Sequence, residues 1–227
     1  IAVLILLMAM TTGNVGYGAQ GSGRDVVDLL DERLIEVKTE GAGIRSLQVE
    51  VRKLTKENVV VQIPVGTVFL PNNTAKQNMV TTETRSVTLR DSQWVTISIP
   101  VACANISKGI PGSSDTFSIE KSPQQGELAL LMPALRKASV PYPVRQAAIW
   151  IITDNANFSR LGILRSSRNG IGGSRVINER EVAQALKIID QAGIDIARKR
   201  VWQDRETILL GLNDEGLKRW LRQKSGT

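Results

Sequence analysis

The chain has 227 residues, 42% of them hydrophobic and only 4% aromatic, so a core can form but aliphatic side chains must supply most of it. Histidine is absent, which removes the commonest general base, nearly all zinc-site types and the His-containing triads. The net charge of +7 is concentrated from Ser159 onward, where 14 Lys+Arg face 8 Asp+Glu; that invites polyanions, anionic lipid or acidic glycans, and equally suits a solvated helical surface.

The first ten residues, Ile1 to Met10, are apolar throughout, and small and polar residues follow to Gln20. This pattern predicts a truncated secretory signal over 1–19, with a retained membrane-surface anchor as the alternative. It is too short to span a bilayer alone, which takes about 20 apolar residues. A secreted or extracytoplasmic chain with a single cysteine has no intrachain disulfide, and a lone thiol there is notable.

Gly21-Ser22-Gly23 reads as a linker and Asp25 to Glu32 as a short helix. From Leu34 to Cys103 the pattern is β. Leu47, Val49 and Val51 alternate with polar residues, as do Val59, Val61 and Ile63, with Lys56-Glu57-Asn58 between them predicted as a hairpin turn. A further strand is predicted from Gly66 to Leu70, stopped by Pro71-Asn72-Asn73. Val80–Arg90 and Gln93–Cys103 are predicted as a hairpin about Asp91-Ser92. In its second strand Val95, Ile97, Ile99, Val101 and Cys103 share one face. Pro100 suggests an edge or a bulge. Strands at this spacing argue for a β-sandwich or small barrel.

Residues 106–115 read as loop, and then the period changes. Ser122-Pro123 is predicted to start a helix with Leu128, Leu131 and Leu135 inward, kinked or split at Pro133. A second helix runs from Pro143 to about Asn155. Leu161–Arg175 is Gly/Ser/Arg-rich and predicted to be a mobile loop. Asn178 caps a helix stopped near Gly193, and Asn213 caps a last one with Leu217, Trp220 and Leu221 inward. The predicted architecture is therefore α+β: a β-sandwich domain over 20–121 packed on a helical subdomain over 122–227. The junction of the two halves should bury Trp150 and the Val95–Cys103 face.

Several motifs lead nowhere. Gly170-Ile171-Gly172-Gly173 follows no strand and precedes no P-loop Lys. The acidic residues lack the spacing of a metal or glycosidase site, and no cofactor motif is present. Asn72, Asn105 and Asn157 each open a glycosylation triplet, a pattern common by chance. Arg198, Lys199, Arg200 and Arg205 beside Trp202 form a candidate polyanion site, though no nucleic-acid fold accompanies them.

The informative stretch is Tyr142 to Asn155. It sets Gln146, Trp150 and Asp154 four residues apart, on one side of a helix. Gln146-Ala147-Ala148-Ile149-Trp150, continued by Thr153-Asp154, resembles the glutamine motif of the thioester domains of bacterial surface adhesins. Cys103-Ala104-Asn105 followed by Pro111 is similar to their cysteine motif. The resemblance covers Ala102 to about Asn155. Ala102 stands where the family usually carries an aromatic, and the Cys-to-Gln stretch is short. The resemblance implies an internal thioester between Cys103 and Gln146, supported by Asn105, Trp150 and Asp154. It also implies a β-sandwich with a helical part, and covalent attachment to a surface protein or glycan. A thiolate attacking a primary amide expels ammonia and leaves an activated acyl group, which survives only where water is excluded. An apolar strand face for Cys103 and a helix start for Gln146, where unpaired N–H groups polarise a carbonyl, meet those needs. The same residues also suit a packed thiol and a glutamine bonded to a loop. The expectation is an exported binding or adhesion-type module rather than a turnover enzyme. The alternatives are a structural or interaction domain with a buried thiol and a polyanion binder.

Overall fold

The computed structural model describes residues 23–162 and 177–225. The expected leader at 1–19, most of the loop expected at Leu161–Arg175 and the glycine run at 170–173 fall outside the described residues. Among the described residues the structure is mixed α+β, with nine strands and one short helix, α1 (Val26–Asp31), before Lys121 and, from Gln125 on, a helical part.

Two sheets build the β part. A three-stranded sheet joins β1 (Arg24–Asp25), β4 (Val59–Ile63) and β7 (Arg85–Leu89). The other has six strands, in the order β2 (Ile35–Gly41), β3 (Ser46–Lys53), β8 (Val95–Cys103), β6 (Met79–Thr81), β5 (Val68–Pro71) and β9 (Phe117–Glu120). The six-stranded sheet curls until its two edges nearly meet. Glu40 bridges Thr116, and the buried Thr39 hydroxyl donates to the Phe117 carbonyl at 2.6 Å while accepting from the Phe117 N–H at 2.8 Å. Gly41 sits at this seam, where a Cβ would lie 2.0 Å from the Gly112 carbonyl oxygen. Only glycine allows that approach.

Both expected hairpins are corrected. Val59–Ile63 does not fold back on Ser46–Lys53: the buried Lys53 ammonium donates to the Lys56 and Glu57 carbonyls, and the chain crosses to the other sheet. The expected single strand from Val80 to Arg90 is two, Met79–Thr81 and Arg85–Leu89, one in each sheet. The strand beginning near Gln93 therefore pairs with β3 and β6 rather than with Arg85–Leu89. It lies inside its sheet, so Pro100 marks no edge. Pro100 is the last residue paired with β3, and pairing with β6 begins one residue later, at Val101. Pro71 ends β5 as a paired residue opposite Phe117 instead of stopping it beforehand.

The helical part runs α2 (Gln125–Ala138), α3 (Tyr142–Thr153), α4 (Phe158–Leu161), α5 (Glu179–Gln191), α6 (Arg200–Gln203), α7 (Arg205–Gly211) and α8 (Glu215–Ser225). Pro133 does not split α2. Pro133 and Ala129, whose carbonyl it leaves unpaired, both face solvent, while Leu128, Leu131, Met132 and Leu135 are buried and hold the helix in place. Asn178 caps α5 through a reciprocal capping box with Glu181. The last helix is capped by Asp214, not Asn213: Asp214 accepts from the Leu217 N–H. Among the described residues no helix is long and apolar enough to cross a membrane.

Two buried clusters result. The β cluster takes Leu47, Val49, Val51, Ile99, Val101 and Cys103 from the large sheet and Val59, Val61 and Ile63 from the small one. The helical cluster takes Trp150, the inward faces of α2, α3 and α5, Val80 and Ala102 from the large sheet, and Ala104 just past the end of β8. Trp150 is buried as expected, but the Val95–Cys103 face packs in the β cluster and not with Trp150 at the junction. The opposite face of the same strand end, Ala102 and Ala104, enters its cluster. Small side chains there let a helix lie close to the strand.

Candidate functional site

The site lies where α3 packs on the end of β8. Pro141-Tyr142-Pro143 starts α3: Pro141 is the N-cap, Pro143 occupies the first turn, and no side chain caps the helix. From that start Tyr142, Gln146, Trp150 and Asp154 recur every fourth residue and so line one side of the helix.

Gln146 is 1% exposed. Its Nε2 donates to the Cys103 carbonyl at 2.7 Å, across 43 residues of sequence. Its Oε1 accepts from the Tyr142 hydroxyl at 3.2 Å. The donors expected at this carbonyl were backbone N–H groups of the helix start; the bonded donor is instead a phenol one turn earlier. Both ends of the amide are thus engaged, as burial requires.

Cys103 is the last residue of β8 and is 3% exposed. Burial in apolar surroundings pushes its thiol up to about 11 from an ordinary 9.0. Tyr142 senses it. Burial raises the phenol, the nearby Cys103 sulfur raises it further once ionised, and Arg45 pulls it down. The Arg45 guanidinium lies 5.0 Å from the Tyr142 ring centroid. Tyr142 and the exposed Arg45 therefore form the outer side of a buried Cys103–Gln146 pair.

Asp154, two turns beyond Gln146, anchors the chain just past the cysteine. Its carboxylate accepts from the Asn105 and Ile106 N–H groups, both at 3.1 Å, and from the Thr153 hydroxyl at 2.7 Å. Arg160 stands 3.9 Å away. A carboxylate at the C-terminal end of a helix opposes the helix dipole, so local helix physics does not favour it there; the two loop N–H groups do. Asn105 contributes its backbone, at φ 64°, a left-handed conformation that asparagine tolerates better than most residues. Trp150 sits between the two anchors, and its Nε1 has no hydrogen-bond partner among the described residues.

The structure therefore brings together Cys103, Gln146, Asn105, Trp150 and Asp154. Tyr142, one residue before the helix start expected at Pro143, belongs with them. Its position four residues before Gln146 was the available signal.

The basic residues of the candidate polyanion site are adjacent but partly engaged. Lys199 is largely buried, with its ammonium on both Glu127 carboxylate oxygens at 2.7 and 2.8 Å. Arg198 pairs with Asp195 at 3.1 Å. Arg205 lies 3.7 Å from Glu206 and over the Trp202 ring. Arg200 is exposed. Among the described residues no three His, Cys, Asp or Glu side chains gather as a metal-binding group.

No family model matches the chain, and neither a curated protein nor a solved structure matches it.

Proposed function

We propose that this chain is a binding or adhesion-type module, distantly similar to thioester domains, in which Cys103 and Gln146 form an internal thioester. One observation carries the reading: the buried Gln146 amide donates to the backbone carbonyl of Cys103 at 2.7 Å, which sets the two residues side by side. Asp154 supports it by fixing the residues that follow the cysteine, and burial keeps water from the acyl group. The partner would be an amine-bearing surface protein or glycan, met outside the cell if residues 1–19 are a leader. In this reading the β half, to about residue 121, is a sandwich whose two sheets share one core, and the helical half from 122 supplies the glutamine.

The test is intact mass. Native protein should weigh one ammonia less than its sequence, resist thiol alkylation while folded, and take up methylamine. Cys103→Ala, Gln146→Ala and Gln146→Glu should each abolish the deficit. Full sequence mass with a titratable thiol would overturn the proposal.

A second reading is a structural or interaction domain with a buried thiol. The Cys103 side chain belongs to the β cluster, and Gln146 then serves to tie α3 to the strand end. Full sequence mass in the native protein, with a thiol that becomes titratable on unfolding and no methylamine uptake, is its signature.

A further inference from the structure

We propose that Tyr142 is a catalytic residue of this site: its hydroxyl polarises the Gln146 acyl oxygen, both when the thioester forms and when an amine later opens it. This rests on the thioester reading above. The geometry assigns the role. The phenol is the hydrogen-bond donor on Oε1, at 3.2 Å, while the amide nitrogen is held separately by the Cys103 carbonyl. Oxygen and nitrogen of the reacting amide therefore point at different partners, and each partner suits what its atom does in the reaction.

The steps balance without any other reactant. The Cys103 thiol gives up its proton and its sulfur bonds to Gln146 Cδ. The carbonyl π electrons move onto Oε1, toward the Tyr142 O–H. The Cδ–Nε2 bond then breaks, and ammonia leaves carrying the thiol proton. In the second reaction an amine nitrogen bonds to Cδ, Oε1 again takes the charge, the Cδ–Sγ bond breaks, and the sulfur takes the amine proton. A hydrogen bond that tightens as charge builds on oxygen lowers the barrier of both reactions. The phenol must stay protonated to donate, and burial favours that form. Arg45 against the ring holds its orientation and leaves the hydroxyl facing inward to Gln146.

The experiment compares full-length wild type, Tyr142→Phe, and protein made with 3-fluorotyrosine. The chain has two tyrosines, Tyr17 and Tyr142, so Tyr142 is the only one that the label changes outside the expected leader. Methylamine uptake is followed by intact mass across pH. Tyr142→Phe keeps the ring and its contact with Arg45 but should slow uptake roughly 100-fold, the usual loss for one oxyanion donor. Fluorination lowers the phenol pKa, so the alkaline fall-off in rate should move to lower pH than in unlabelled protein. A hydroxyl that merely packs would leave that profile in place. If wild type carries the mass deficit and both altered proteins react at its rate and with its pH profile, the role of Tyr142 is overturned and the thioester stands. A wild type without the deficit overturns both. If Tyr142→Phe does not fold, the fluorinated protein decides alone.

Discussion

Asp154→Ala probes what holds the cysteine loop. The carboxylate is 8% exposed and accepts two backbone N–H bonds at 3.1 Å. Hydrogen bonds to a charged group contribute about 1.5–3 kcal/mol each. Loss of both, with water poorly placed to replace the carboxylate, should cost about 3–5 kcal/mol. The Arg160 pair adds little, because its arginine side is 41% exposed. Asp154→Asn keeps one acceptor oxygen but turns an NH2 toward the other N–H, so about half the loss should remain. For a chain of this size the alanine variant should melt roughly 10 °C lower. Urea unfolding followed by tryptophan fluorescence measures the difference directly. Asn105→Gly separates this clamp from backbone strain: glycine accepts φ 64° freely and should cost under about 1 kcal/mol. An Asp154→Ala variant within about 1 kcal/mol of wild type would refute the clamp, and with it the idea that α3 positions the residues after Cys103.

Three further outcomes are expected. Trp150→Ala should cost about 3–5 kcal/mol in the same unfolding assay, whereas Trp150→Phe should cost far less, since it also removes a buried N–H that lacks a partner among the described residues. In protein whose thiol is free, the folded pKa of about 11 lies above the ordinary 9.0, so the folded state holds the Cys103 proton more tightly. Stability should therefore be full below pH 9, fall as pH rises from about 9 to about 11 by up to about 3 kcal/mol, and show no such fall in Cys103→Ala. If the basic third binds polyanions, heparin affinity should drop steeply with salt and weaken on charge reversal at Arg198 and Arg200; binding unchanged at high salt would leave only a solvated surface.

The alternation of Leu47, Val49 and Val51 and of Val95 to Cys103 was legible because period two fixes which side chains turn inward. Partnership between strands was not. The run from Val80 to Leu89 carries no glycine or proline at Thr82–Thr84, so nothing local announces that the chain changes sheets there. The four-residue strand Phe117–Glu120 is too short for periodicity; it forms by pairing with Val68–Pro71, and Thr39 ties its first residue to the far edge. Pro133 misled for a related reason: its penalty depends on whether the freed carbonyl meets water, which sequence alone does not state.

The candidate pair was visible as two motifs, but its geometry follows from the end of one strand. Alternation sends Val101 and Cys103 into the β cluster and Ala102 and Ala104 into the helical one. The backbone carbonyl of Cys103 faces α3, and its thiol, counted in the β cluster, lies near enough to the Tyr142 phenol to raise it once ionised. Right after it, Asn105 turns left-handed and Asp154 grips the next two N–H groups. A one-residue slip of this strand end would exchange the two faces, putting an alanine where Cys103 stands and taking the thiol out of the site. What fixes the pair is therefore the register of β8 on β6, Met79 opposite Cys103, together with the Asp154 clamp. These act from opposite sides of the same residue, so loosening either should release the Gln146 amide from Cys103 without unfolding the rest of either core.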